Sequence, residues 1–386
     1  MRRDLPWRAL AIAAIGAVIV IIGYIVDPAR AAAAYLIAFG AALSVALGAL
    51  ALVMIARLTA ATWFVAVRRQ AEQVAATIPV FAVLFIPVLL SIHLLYVWSG
   101  PGTALPIDVR QAVQAKAAYL DVPFFVVRAI VYFAAWIAIE EVLRRASLAQ
   151  DHGDSPALER RMYRVSAAGL IVLALTLSFA AFDWFMSLSP AWYSTIYGVD
   201  YFAGGMVGAL ALLAVTIAWA RRRGDLPADV GPDHYHALAK LLLTFVLFWV
   251  YIGFSQLIVI WSAQIPIERG WYAVRMRGGW RVLGGIVLLG HFVVPFCALV
   301  IRSIKRSTAA MTGLGALLLV MHYLDMYWIA MPDAPFGAGW GWILDAGAVA
   351  LMAGVTVAVF VTRSAGEPGV VVGDPRLPAS LEYSVD

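Results

Sequence analysis

Long apolar runs recur along the whole sequence, and they constrain the fold more than any other feature. Each run is long enough to cross the roughly 30 Å hydrocarbon core of a membrane as a helix. Only 13% of the 386 residues are charged, whereas soluble domains carry about a quarter. The pattern predicts an all-α polytopic membrane protein with ten spans, near 9–26, 31–56, 76–98, 122–143, 165–186, 201–220, 240–262, 281–301, 307–330 and 341–362.

Lysine and arginine residues are distributed unevenly between the two predicted sides of the membrane. Twenty of them fall on the side that carries both termini, seven fall on the other side, and Arg128 lies within a span. Because basic loops tend to stay in the cytoplasm, we expect both termini there. The basic start resembles that of a signal peptide, but the apolar run 9–26 is too long for one, so we expect a retained first span.

Short sequences at the span ends recur at an interval of four spans. The third and seventh spans end in "LLYVWSGP" and "LIVIWSAQIP", and the fifth and ninth end in "FDWFMSLSP" and "YLDMYWIAMPDAP". The repetition predicts two four-helix bundles, spans 2–5 and 6–9, with peripheral first and last helices. The predicted domains are an N-terminal span, a first bundle with its outer loop, a second bundle, and a last span with a cytoplasmic tail, at 1–30, 31–200, 201–335 and 336–386.

Ionisable residues inside spans are costly, so each is a candidate for function. Asp183 and Asp325 occupy corresponding places near the outer ends of spans 5 and 9. They could exchange protons or bind a polar ligand head, or they could form a salt bridge or an interfacial hydrogen bond. Near the inner end of span 4, Glu140 and Glu141 could take up protons, or Glu140 could pair with Arg144 one turn further on.

Span 7 carries a row of polar side chains at intervals of four and seven residues, which places them on one helical face. They are Lys240, Thr244, Tyr251, Ser255 and Ser262. The row could line a chain of water molecules, or it could hydrogen-bond neighbouring helices. His322 in span 9 is a further candidate for proton transfer, and His93 and His291 are also predicted in the outer half of the membrane.

The sequence offers no pattern for a bound cofactor or metal ion. The single cysteine, Cys297, lies in an apolar run, so it cannot form an intrachain disulfide or hold an iron–sulfur cluster alone. Nucleotide-binding and zinc-binding motifs are also absent. We therefore expect this chain itself to bind neither a cofactor nor a metal ion.

Two long motifs resemble a known family of membrane subunits. "FDWFMSLSPAWYSTIYG" (182–198) and "HALAKLLLTFVLFWVYIGFSQLIVIWSAQIPIE" (236–268) are similar to the ActF subunits of bacterial alternative complex III, within the broader NrfD-like family. That complex is a quinol:cytochrome c oxidoreductase of the bacterial inner membrane. The resemblance covers spans 5 to 8 in detail, and it implies about ten spans and two four-helix bundles.

The resemblance also implies partners and cofactors. The expected partners are a homologous NrfD-like membrane subunit of the ActC type, an iron–sulfur or molybdopterin-like subunit, multihaem cytochrome c subunits and small membrane-anchored subunits. A terminal oxidase and lipids are further expected contacts, and nucleic acid is not. Haem c and iron–sulfur clusters would be held by the partner subunits, and menaquinol or ubiquinol would be the substrate of the complex.

Three functions compete at this point. The first is a scaffolding subunit of the redox complex that conducts protons between Glu140 and Glu141 on the inner side and Asp183 and Asp325 on the outer side. The second is a catalytic subunit that binds quinol itself, with Asp183, Trp192 and Tyr197 around the headgroup. The third, a stand-alone transporter, is weaker, since the sequence lacks the paired glycine-interrupted helices expected at mid-membrane.

Overall fold

A computed structural model describes residues 4–100, 105–153, 155–334 and 341–385. The described residues form helices and no β-strand, and ten helices are long and apolar enough to cross a membrane. The all-α polytopic prediction is therefore confirmed. The spans are Leu5–Val26, Pro28–Leu58, Thr62–Leu90, Val122–Gln150, Pro156–Leu188, Tyr197–Arg222, Pro232–Ala263, Gly278–Val300, Thr308–Asp333 and Gly341–Ser364, numbered 1 to 10 below.

Some predictions fall on residues outside the described ranges. These residues are Arg2 and Arg3 in the charge comparison, and Pro101 and Pro335 at the repeated span ends. With ten spans, both ends of the described chain lie on the same side of the membrane, which we call the terminal face. The other side is called the opposite face.

Local sequence signals start several of the spans. Asp27, Asp121 and Ser155 each accept a hydrogen bond from a backbone N–H in the first turn of spans 2, 4 and 5. A proline follows in the first two helical positions each time, where its missing N–H costs nothing. Prolines also interrupt span 3, which consists of short helices, including Arg68–Ala75 at the terminal face and Ile78–Leu84 within the membrane.

The spans pack in two groups of four. In the first, span 2 contacts spans 3 and 5, and span 4 contacts spans 3 and 5. In the second, span 6 contacts spans 7 and 9, and span 8 contacts spans 7 and 9. Spans 1 and 10 pack on each other and against span 2, outside both bundles. The domain boundaries assigned from the sequence stay predictions.

The bundles meet where spans 2 and 6 cross at small residues. A Cβ atom on Gly48 would lie only 2.4 Å from the carbonyl oxygen of Gly205, so the two backbones are in contact there. Nearer the opposite face, the hydroxyl of Tyr201, one turn before Gly205, donates a hydrogen bond of 2.8 Å to the carbonyl of Gly40. Small residues allow such close approach between membrane helices, and the crossing holds the two bundles together.

The C-terminal tail, residues 365–385, is folded against the terminal face. Asp374 accepts a hydrogen bond of 2.6 Å from Arg68, and the Ser380 carbonyl lies 2.9 Å from Nε2 of His234. Burial alone would raise the pKa of Asp374, but hydrogen bonds from Arg376 and the charge of Arg68 lower it to about 2. The tail thus contacts both bundles at this face.

Candidate functional site

Asp325 lies inside the second bundle, where its charge has no arginine or lysine within salt-bridge distance among the described residues. The residue is 4% exposed, and its carboxyl accepts a hydrogen bond of 2.9 Å from the indole N–H of Trp249 in span 7. Its nearest ionisable contact in span 8 is His291, whose Nδ1 is 4.0 Å from the carboxyl oxygen. A buried acid that contacts a neutral donor and a histidine, and no cation, is suited to gain and lose a proton.

His291 and His322 approach each other deep in the same bundle. Their ring centroids are 6.4 Å apart, and both rings are buried. Both nitrogens of His291 and Nδ1 of His322 lack a hydrogen-bond partner among the described residues. His322 is anchored at its other nitrogen, Nε2, 2.7 Å from the hydroxyl of Ser44 in span 2. The two rings are thus placed beside Asp325 with free positions for protons.

Span 8 contains a π-helical turn, Leu288–Val293, at the position of His291. Such turns inside α-helices are rare and occur frequently at functional sites. The turn accompanies a ring stack in which the His291 and Trp249 centroids are 4.2 Å apart. Because Trp249 also donates to Asp325, one indole positions both the acid and the imidazole.

A cavity of about 370 Å³ lies beside Asp325, bordered by spans 7, 8 and 9 and by the loop helix Pro266–Arg275. Its polar lining is limited, and a Cβ on Gly253 or Gly285 in its wall would meet no atom within 4 Å. Phe254 also lines the cavity and is 59% exposed on the outside of the bundle, so the cavity reaches the lipid-facing surface. The residues with polar atoms in its lining include Tyr197, Asp200, Trp249, Arg275, Asp325 and Trp328.

Arg275 borders the cavity at the opposite face. It pairs with Asp333 at 2.5 Å, donates to the carbonyls of Trp271 and Ile329, and lies over the Trp271 ring, 3.4 Å from its centroid. Burial lowers the pKa of Arg275, although the neighbouring Asp333 charge acts against that shift. Trp192 stacks on the other side of Trp271, with centroids 4.3 Å apart. The loop that follows span 5 is thereby fixed to the second bundle.

The first bundle places Asp183 in a different environment. The carboxyl is fully buried and accepts two hydrogen bonds from Arg128, at 2.8 and 3.0 Å, and one from Tyr132, at 2.8 Å. The Arg128 guanidinium also lies 4.0 Å from the ring centroid of Tyr119. Of the alternatives left open by the sequence, the structure shows the salt bridge.

Glu140 and Glu141 are neighbours with different surroundings. Glu140 is 2% exposed, and neither of its carboxyl oxygens has a hydrogen-bond partner among the described residues. The pairing with Arg144 that the helix spacing allowed is not formed, because Arg144 binds Glu367 of the tail instead. Glu141 pairs with Arg145 at 2.5 Å in a more exposed position.

The polar row of span 7 does not line an interior path. Lys240, Thr244, Tyr251 and Ser262 are exposed on the outside of the second bundle, and Ser255 is only partly buried. The Thr244 and Ser262 hydroxyls donate to carbonyls of their own helix. The periodicity correctly placed these residues on one side of the helix. The other side of span 7, with Val246 and Trp249, packs inward because it contacts spans 6 and 9.

The quinol-binding set assigned from the sequence is not gathered around one space. Asp183 is held by Arg128 in the first bundle, Trp192 is stacked on Trp271, and only Tyr197 borders the cavity. The sequence reasoning missed Asp200, Trp249 and the approach of His291 to Asp325. Asp200 carried a usable signal, since it is an acid three residues into an apolar span.

Within the described ranges, no group of three or more histidine, cysteine, aspartate or glutamate side chains is arranged to hold a metal ion. No protein-family model matches the chain, and no curated protein is significantly similar to it.

Proposed function

We propose that the chain is a proton-conducting membrane subunit of a quinol:cytochrome c oxidoreductase of the alternative complex III kind. The two motifs at 182–198 and 236–268 support this assignment, as does the arrangement of ten spans in two bundles. In this proposal the membrane is the bacterial inner membrane and the terminal face is cytoplasmic. An ActC-type subunit and partners that carry haem c and iron–sulfur clusters oxidise menaquinol or ubiquinol, and this chain scaffolds them.

The observation that carries the proton-conducting role is the group formed by Asp200, His291, His322 and Asp325, which we call the acid–histidine cluster. Ionisable side chains within a membrane are expensive and mark proton or substrate pathways. Asp200 and Asp325 border the cavity, whereas the two histidines continue inward from Asp325 to the hydroxyl of Ser44. Carboxyl, imidazole and hydroxyl groups in this order can pass a proton by short rotations.

Replacing Asp325 by asparagine tests this role. The amide keeps the volume and can still accept the Trp249 hydrogen bond, but it cannot release a proton. In proteoliposomes of the purified complex, we expect Asp325→Asn to retain quinol:cytochrome c turnover and to lower the number of protons released per electron. The measurement is a pH-indicator assay run alongside cytochrome c reduction.

Asp108→Asn is the matched control, because Asp108 is an exposed acid on the loop helix Ile107–Ala115, outside the spans. It should leave both turnover and proton release unchanged. An unchanged proton ratio in Asp325→Asn would refute the role of the acid–histidine cluster. Purification of this chain without haem-containing and iron–sulfur partners would refute its place in the complex.

The cavity favours a second candidate function, in which this chain itself binds a quinol. Its aromatic walls, its opening to the lipid-facing surface and the carboxyls of Asp200 and Asp325 suit a planar ring with hydroxyl donors. Gly253→Leu would fill the space that Gly253 leaves open. Loss of co-purified quinone in Gly253→Leu, with the complex intact, would support this function, and unchanged quinone content would exclude it from this cavity.

A further inference from the structure

A second cavity, of about 510 Å³, lies at the terminal face beneath the C-terminal tail. It is enclosed by the short helix Arg68–Ala75, the ends of spans 6 and 10, and the tail residues around Glu367. Gln70 in its wall donates a hydrogen bond of 2.7 Å to the tail carbonyl of Gly369, and Gln73 lines it without a hydrogen bond to another described residue. The cavity is thus polar on the side of Arg68–Ala75 and closed by the tail.

Glu140 lies one helical turn before Arg144, whose partner Glu367 lines this cavity, and it has an unusual lack of partners of its own. Four charged groups act on its carboxyl: Glu141 and Arg144 on its own helix, Glu72 on span 3 and Arg363 at the end of span 10. None of them hydrogen-bonds either oxygen, although the side chain is almost fully buried. A buried carboxyl without a donor is costly unless it carries a proton or contacts water. Protons or water must therefore be able to reach the Glu140 carboxyl.

Polar side chains follow Glu140 along span 4 towards the terminal face. Glu140, Arg144 and Ser147 follow one another at intervals of four and three residues, so they share one face of span 4. Ser147 donates a hydrogen bond of 2.8 Å to Glu72. Arg144 binds Glu367, which lines the cavity. The arginine next to Glu140 is therefore tied to the cavity wall through the tail.

We propose that Glu140 is a proton-exchange site reached from the cavity beneath the tail, and that the Arg144–Glu367 ion pair restricts this access. The proposal rests on the proton-conducting function above and adds an uptake site and its control. When the ion pair opens, Arg144 is free to move away from the cavity wall, and water in the cavity reaches the Glu140 carboxyl. When it closes, Glu140 is separated from the terminal face.

The tail is held at other points, so the ion pair can open without releasing it. Cβ atoms on Gly369 and Gly373 would lie 1.8 and 1.7 Å from the carbonyls of Asp225 and Gln150, which shows how closely the tail follows the surface. Asp374 and Ser380 add the contacts to Arg68 and His234. Glu367 precedes all of these attachments, at the point where the chain leaves span 10.

Carbodiimide labelling of the intact complex tests the access. Native membrane vesicles with the terminal face outward are treated with a water-soluble carbodiimide and glycine ethyl ester. The carbodiimide adds to the carboxyl to form an O-acylisourea, and the amine attacks its acyl carbon to give an amide and release a urea. The amide is quantified at Glu140 by peptide mass spectrometry. We expect Glu367→Gln to speed labelling about fivefold, the effect of losing an ion pair worth about 1 kcal/mol.

Two variants of the tail provide the controls. Glu367→Asp keeps the charge and should label at close to the wild-type rate, and Glu382→Gln removes an exposed tail acid and should not differ from wild type. Resistance of the tail to protease must be equal in all variants, which separates opening of the ion pair from unfolding of the tail. Equal labelling rates in Glu367→Gln and wild type would overturn the proposal.

Glu140→Gln separates this proposal from the proposed function. We expect it to abolish the labelled product and to lower the protons moved per electron, with turnover retained. If Asp325→Asn lowers the proton ratio and Glu140→Gln does not, the uptake site is wrong and proton conduction stands. If neither variant lowers it, proton conduction by this chain is refuted.

Discussion

Each of the two bundles places one aspartate near the same end of its last helix, but the residues that contact the two carboxyls differ. Asp183 in the first bundle is neutralised by Arg128 and also bound by Tyr132. Asp325 in the second bundle meets the N–H of Trp249 and the ring of His291, and it borders a cavity. A repeated position in the sequence therefore does not give a repeated environment.

The difference lies in the partner supplied by the third helix of each bundle. Arg128 is always charged, and it forms a rigid bidentate pair with Asp183. His291 can be neutral or charged, so it leaves both forms of Asp325 accessible. We infer that the first bundle uses its acid to hold helices together, whereas the second keeps its acid exchangeable.

The largest expected effect comes from removing the arginine of the first bundle. Arg128→Leu leaves Asp183 buried without a counter-charge, which should destabilise the protein by about 3–5 kcal/mol. The matched change in the second bundle, His291→Leu, removes a ring that makes no hydrogen bond and should cost less than about 1.5 kcal/mol. The measurement is the free energy of unfolding in mixed detergent micelles, and equal losses would break the comparison.

Hydropathy and charge were sufficient to predict the ten spans, because spanning a membrane requires about 20 apolar residues whatever the helices contact. The repeated span ends predicted the two bundles for a similar reason, since they mark positions along each helix. Both signals are properties of one segment at a time. For that reason they could be read from the sequence without knowledge of packing.

The contacts of the site were not predictable in this way. His291 and Asp325 are 34 residues apart, and their approach depends on how spans 8 and 9 are rotated about their own axes. The row on span 7 shows the same limit, because its period gave one face of the helix but not the direction of that face. Nothing in the sequence of the tail indicated that Glu367 would form the ion pair with Arg144 that was expected for Glu140.

An intermediate effect is expected from adding one methyl group to each bundle. In the first, a Cβ on Gly40 would lie 2.1 Å from the ring of Phe185, which is 1% exposed. Gly40→Ala should therefore cost about 1–3 kcal/mol through overpacking. In the second, Gly253 faces open space, so Gly253→Ala should be neutral or stabilise by up to about 1 kcal/mol, since alanine favours helix.

Unfolding of the two alanine variants under identical detergent conditions checks this contrast. A loss in Gly253→Ala as large as that in Gly40→Ala would show that the second bundle is packed as tightly as the first. The cavity beside Gly253 would then not be open space. A loss confined to Gly40→Ala would confirm that the tight packing belongs to the first bundle.

The smallest effect concerns how the tail is attached to each bundle. Its ion pair with Arg68 belongs to the first bundle, and its contact with His234 belongs to the second. Because the pKa of Asp374 is lowered from its ordinary value of 3.8 to about 2, the ionised form stabilises the folded tail. This contribution is complete above the ordinary value and is lost as the pH falls from about 4 towards about 2.

Pepsin, which acts in this pH range, can measure the loss. We expect the rate of cleavage within residues 365–385, divided by the rate for an unfolded peptide of the same sequence, to rise as the pH falls through this window. Asp374→Asn should start at the higher ratio and stay flat, because its amide does not titrate. A wild-type ratio independent of pH would mean that the other contacts hold the tail, and that the ion pair between Asp374 and Arg68 contributes little to the attachment.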